Sequence, residues 1–176
     1  MSGHLNNAGS AADRRFKIMQ WNARGLSGHK LELQQYLASN SCNLPDVICI
    51  QETLLKPENH FNFSDYVTFR KDRVNDRMGG GVATLIRSTL NAVQIKAPDS
   101  IECIGIKITV NNKPLLIYNI YNPPKLNIDY EIYKELFVNK NTIITGDLNA
   151  KNTLWRSSKT NKSGDILEQL LINNDF

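Results

Sequence analysis

The 176-residue chain has no run approaching the ~20 consecutive apolar residues that a membrane-spanning helix needs. Its first residues, MSGHLNNAGSAADRR, lack the apolar centre of a secretory signal. Cysteine is scarce: Cys42, Cys49 and Cys103 form no CxxC pair. Their odd number and apolar neighbours predict buried free thiols in a reducing compartment, and argue against a disulfide framework or a zinc site. Histidine is equally sparse, and His4, His29 and His60 stand apart from the polar motifs described below. The GxxxxGK phosphate loop is absent; Gly79, Gly80 and Gly81 precede a strand and suit a tight turn or a close approach of backbone. There is no internal repeat. These absences point to a protein without a membrane partner, in the nucleus or the cytoplasm.

What is present fits one globular domain. Hydrophobic residues make up 41% and charged residues 22% of the chain, within the ordinary range for such a domain. The net charge of +4 and a pI near 9.0 favour a polyanionic partner by long-range steering, but are too mild to name one. Residues Met1 to Asp13 are small and polar without periodicity, which predicts a flexible tail before a domain at 14–176. FKIMQW alternates as a half-buried strand does, and HKLELQQYLAS spaces Leu33 and Leu37 as a helix lying on a sheet. Further strands are predicted in DVICIQ, DYVTFR, GGVATLIR, IECIGIKITV, KPLLIYNIY and NTIITGD, with late helices in DYEIYKELF and GDILEQLLINN. Asn111 and Asn112 between two of these strands suit a hairpin, because Asn tolerates the positive φ of such turns. Hairpins interspersed with helices argue for an α/β sandwich with mixed or antiparallel sheets.

Four apolar strands end in polar residues: Asn22 after FKIMQW, Glu52 after DVICIQ, Tyr121 after LLIYNI and Asp147 after NTIIT. Strand ends in a layered fold share one rim of the sheet, where clefts form, so these side chains are candidates to converge. If the backbone stays extended through GDLN, Asp147 and Asn149 point to the same side. Each residue alone has a plainer reading: Asp147 and Asn149 as turn residues, Glu52 as a solvated strand end, Tyr121 as an amphipathic rim residue. Two carboxylates in one cleft repel unless a cation neutralises them, so Glu52 with Asp147 calls for Mg²⁺ or Mn²⁺. Arg70, Lys71, Arg73 and Arg77 gather around a predicted loop as either a phosphate-tracking cluster or a solvated surface. Trp155 beside Arg156 offers an aromatic and basic surface for nucleic acid, although packing is the usual first duty of an indole.

WNARGL, ICIQET, IYNPP and GDLNA, in this order, resemble the endonuclease/exonuclease/phosphatase superfamily. GGGVATLIR, IYNPP and NAKNTLW further resemble the apurinic-type endonuclease domain at the start of non-LTR retrotransposon polyproteins. The resemblance runs from about Phe16 to Phe176 and implies a four-layer α/β/β/α sandwich of two mixed sheets. It implies that Glu52 ligates a divalent metal and that Asn22 orients the phosphate and its active-site partners. By the same resemblance Tyr121 contacts the phosphate, Asp147 positions or deprotonates the attacking water, and Asn149 hydrogen-bonds the scissile group. The implied activity is metal-dependent nicking of DNA, with the parent protein fused to a reverse transcriptase. The alternatives are a non-catalytic remnant binding nucleic acid weakly, or a phosphatase or exonuclease of the same superfamily.

The sequence departs from that pattern in two places. Residue 24 is Arg, where the repair branch carries an acidic residue beside the metal, which argues against a repair enzyme. The family pattern continues to a further aspartate and a closing SDH motif, and neither is found up to Phe176. The sandwich is therefore expected to be incomplete at its carboxy terminus. The chain by itself is expected to be inactive or weakly active, and only marginally stable, unless a longer product supplies that segment.

Overall fold

A computed structural model describes residues 15–73 and 79–174. The expected amino-terminal tail and Arg77 lie outside these residues. The first sheet holds β1 (Ile18–Asn22), β2 (Val47–Gln51), β3 (Tyr66–Lys71) and β4 (Val82–Arg87), in the order β1-β2-β4-β3. The second holds β5 (Ala92–Ile95), β6 (Glu102–Val110), β7 (Lys113–Tyr121) and β8 (Thr142–Asp147), in the order β5-β6-β7-β8. Both sheets are mixed, because β1 with β2 and β7 with β8 run parallel while the other pairs run antiparallel. Helix α1 (Leu26–Ser39) covers the first sheet, and α2 (Tyr130–Leu136) with α3 (Lys162–Asn173) covers the second. This is the expected α/β/β/α layering.

Period-two alternation builds the layers. In β2 and β4, Ile48, Ile50, Ala83 and Leu85 face α1 through Leu33 and Leu37, whereas Val47, Cys49, Val82 and Ile86 face the other sheet. In β7 the alternation sends Ile117 and Tyr121 to the sheet interface and Ile120 to the helices. β2 is buried on both faces, which explains why its sequence carries no polar alternation. Asn111 and Asn112 turn the β6–β7 hairpin with φ of 50° and 61°, as the sequence predicts.

Two expectations need correction. β5 is absent from the predicted strands: it has four residues, its Val93 is exposed, and it offers no apolar run to read. Cys42 is exposed, because it falls in a short 3₁₀ turn at Ser41–Asn43, beyond the end of α1, that buries none of its residues. Cys49 and Cys103 are buried as expected, and burial pushes both thiols up to about 12.

Candidate active site

The parallel pairs β1–β2 and β7–β8 bring four strand ends to one rim, two from each sheet. Cα partners across the second sheet place Glu102, Tyr121 and Asp147 in one row. Across the first, Asn22 pairs with Gln51, and Glu52 follows immediately as the strand leaves the sheet. The Asn22 amide spans the gap: Nδ2 donates to Glu52 Oε1 at 2.8 Å and to Asp147 Oδ2 at 2.7 Å. Two carboxylates 95 residues apart in sequence, on different sheets, thus share one NH₂ group. The Arg24 N–H donates to Asn22 Oδ1 at 3.2 Å, which fixes which way the amide points.

The backbone holds Glu52 in place. The Ala23, Gly25 and Leu26 N–H groups donate to the carbonyls of Gln51, Glu52 and Thr53, while Thr53 and Leu54 donate to Gly81 and Gly80. Glu52 itself has φ 50°, and Arg24 and Leu54 are likewise left-handed. Such residues cost on the order of 1–3 kcal/mol each and persist where surrounding contacts demand them, typically at functional sites. Gly80 has φ 89°, a conformation that L side chains rarely adopt, and an added Cβ would also displace the Arg73 guanidinium.

Tyr121 is 6% exposed and sits between the carboxylates and Arg73. Burial, then the charge of and a hydrogen bond to Glu52, push its phenol up to about 12; Arg73, 5.9 Å from the ring centre, pulls the other way. The phenol is a neutral donor at ordinary pH. Beside it opens a cleft of about 730 Å³, walled among others by Arg73, Glu102, Asn122, Pro123 and Lys125.

The condition of extended backbone through GDLN is not met at Asn149, and the turn reading holds instead. β8 ends at Asp147, and Asn149 is left-handed with φ 47°. Asp147 Oδ1 accepts the Asn149 N–H at 3.2 Å, closing a turn, and Asn149 Nδ2 donates to the Asn122 carbonyl at 2.9 Å. The turn and the bond to Asn22 therefore coexist at Asp147, one on each carboxylate oxygen. Asn122, which the sequence reading did not single out, ties the loops together by donating to Leu126 and Leu148 carbonyls.

The basic cluster is largely occupied inside the chain. Arg70 donates to Asp72 and to the carbonyls of Asn59 and Lys56; Lys71 donates to the Ile101 carbonyl; Arg73 is paired with Glu102, which also accepts the Gly81 N–H. Arg156 is exposed, and Trp155 donates Nε1 to the Ala150 carbonyl at 3.0 Å, so the indole anchors its own loop.

Residues 19–174 match the Endonuclease/Exonuclease/phosphatase family. The chain belongs to that family. It is 25% identical over 167 residues to the probable RNA-directed DNA polymerase from transposon X-element of Drosophila melanogaster, covering 90% of this chain and 18% of that protein. It is 22% identical over 164 residues to the RNA-directed DNA polymerase from mobile element jockey of the same fly, covering 91% of the chain and 18% of the relative. The chain thus spans under a fifth of the length of these relatives. Its fold matches the endonuclease domain of TRAS1, a telomere-specific non-LTR retrotransposon, with TM-score 0.69 and 19% identity, over 91% of this chain and 71% of the other. It also matches the AP endonuclease LMAP from Leishmania major, with TM-score 0.66 and 17% identity, over 90% and 66% of the two chains. Nucleases of the endonuclease/exonuclease/phosphatase family generally depend on a divalent metal.

The donor set at this family member's rim fits a small hard cation. Glu52 and Asp147 offer carboxylate oxygens, while the Asn22 amide turns its NH₂ toward them and its oxygen to the Arg24 N–H, and no group of three or more His, Cys, Asp or Glu gathers among the described residues. Mg²⁺ suits such a place, since it uses one or two carboxylates and keeps much of its water, whereas structural zinc wants a closed set of nitrogen and sulfur ligands.

Proposed function

We propose that the chain is the DNA-nicking endonuclease domain of a non-LTR retrotransposon polyprotein, hydrolysing one phosphodiester bond with Mg²⁺ or Mn²⁺. The observation that supports this reading is the joint hold of the Asn22 amide on Glu52 and Asp147, which brings two carboxylates from separate sheets within reach of one amide. Glu52 is the residue to hold the metal, which when bound offsets charge on the phosphate and its leaving oxygen. In this reading Asp147 orients a water and accepts its proton, a role supported by the hold of Asn22 on its Oδ2. Tyr121 keeps its proton and donates to a phosphate oxygen, while Asn149 holds Asp147 through its N–H and bonds the scissile group. The cleft beside Tyr121 gives room for the sugar-phosphate chain entering the site.

The DNA and the fused reverse transcriptase belong to this proposal, supported by the RNA-directed DNA polymerases to which the chain is similar. Arg73 and the exposed Arg156 are the better-placed phosphate contacts, since the cleft opens beside the first and solvent surrounds the second. The test is conversion of supercoiled plasmid to open circles in Mg²⁺ by the longest polypeptide the reading frame encodes, with Asp147→Ala in parallel. Nicking that disappears with Asp147→Ala supports the assignment; nicking of equal rate in the variant removes it.

A further inference from the structure

Below the reactive rim, the interface between the sheets carries a polar layer that the chemistry does not use. Gln51 continues the inward-facing positions Val47 and Cys49 of β2, Thr84 lies between Val82 and Ile86 of β4, and Asn119 lies between Ile117 and Tyr121 of β7. All three are 0% exposed. Gln51 Nε2 donates to Asn119 Oδ1 at 2.7 Å. Asn119 Nδ2 donates to the Ala83 carbonyl at 2.8 Å and to Thr84 Oγ1 at 3.1 Å, and lies 3.3 Å from the Ile50 carbonyl. Gln20 Nε2 donates in turn to Gln51 Oε1, extending the chain to β1.

We propose that Gln51 and Asn119 are positioning residues, whose amide bond sets the register of one sheet against the other so that Glu52 and Tyr121 meet. Apolar packing across the rest of the interface is non-directional and tolerates small slides and rotations. A buried amide pair has one distance and one direction, and a slip leaves polar atoms without partners in an apolar core. The sequence places this pair one residue before Glu52 and two residues before Tyr121. A slip of the sheets would therefore be passed to both rim residues with almost no intervening chain. Bonds from Asn119 reach β4 as well as β2, so the second sheet is referenced to two strands of the first. This inference rests on the proposed site, yet it concerns the geometry of the protein alone.

The test separates stability from geometry. Gln51→Met and Asn119→Leu each orphan a buried amide, and each is expected to lower Tm by about 3–10 °C. The triple variant Gln51→Met/Thr84→Val/Asn119→Leu makes all three fully buried side chains apolar and is expected to regain much of that loss. Two readouts follow the geometry: the Asn22 side-chain NH₂ resonances, which report its bonds to Glu52 and Asp147, and nicking kinetics. The triple variant is expected to show Asn22 signals moved to free-amide positions, and kcat lowered roughly 10- to 100-fold with little change in KM. A folded triple variant with the wild-type Asn22 signals overturns the proposal, whatever its nicking rate. If the wild-type protein does not nick at all, the functional reading fails by itself and the Asn22 signals still decide this one. Should the triple variant not fold, the same comparison is read from Thr84→Val, which removes one acceptor and is expected to move the signals by a smaller amount.

Discussion

The two ends of the interface between the sheets are built by the same strands with the same alternation, and they behave as different materials. At the far end, Ile18, Val47 and Ile86 of one sheet meet Ile106, Ile117 and Ile143 of the other, all apolar. Two residues further along, the rows are Gln20, Cys49 and Thr84 on one sheet and Ile104, Asn119 and Thr145 on the other, and two further still, Asn22, Gln51 and Val82 with Glu102, Tyr121 and Asp147, so polar side chains join and then outnumber the apolar ones. The apolar end can be tight and indifferent to sequence detail. The polar end is costly unless every group finds a partner, and the Asn22, Asn119 and Glu102 bonds show those partners in place.

That contrast can be broken from either side. The largest effect is expected at the polar end: Asp147→Ala should reduce plasmid nicking ~10²- to 10⁴-fold while the unfolding transition stays close to wild type. At the apolar end the outcome should reverse. Ile106→Ala removes a fully buried side chain and should cost about 2–5 kcal/mol in urea unfolding, with nicking by the folded fraction nearly unchanged. A drop in specific activity there as deep as that of Asp147→Ala would erase the distinction between the two ends.

A smaller effect is expected from Asn149→Ala, which releases the Asn122 carbonyl and loosens the loop after β8. A loss of about 1 kcal/mol is expected by the same unfolding measurement, together with slower nicking. The smallest concerns the buried thiols. Cys49 and Cys103 titrate at about 12 in the fold instead of the ordinary 9.0, so the unfolded chain releases these protons first as pH rises. Their contribution to stability is complete below pH 9 and declines between 9 and 12. Stability measured across that range should fall less steeply in Cys103→Ala. At neutral pH, iodoacetamide should label the exposed Cys42 alone among the three until the protein is unfolded.

Much of this was legible in the sequence for one physical reason: a polar residue closing an apolar strand has few innocent explanations when four strands do it. Asn22, Glu52, Tyr121 and Asp147 carried that signal, and alternation told which face each strand buries. The interior polar layer was harder to see. Gln51 reads as the edge of the QE motif and Asn119 as one more residue between Tyr118 and Ile120, since sequence does not show which buried position on one sheet faces which on the other. The fate of the arginines was equally hidden, because Arg73 looks the same whether a phosphate or Glu102 receives it. The sequence leaves two readings of GDLN open, extended backbone or a turn at Asp147, and the turn is the one found, since Asp followed two residues later by Asn favours a side-chain-closed turn.

The proposal that Glu52 holds a divalent cation, with Asp147 and the Asn22 amide beside it, is tested most directly by Mn²⁺ titration followed by electron paramagnetic resonance. One ion per chain is expected in the wild type, with affinity reduced about tenfold or more in Glu52→Gln and unchanged in Lys107→Gln, an exposed residue of β6. Equal Mn²⁺ affinity in the wild type and Glu52→Gln would contradict the account.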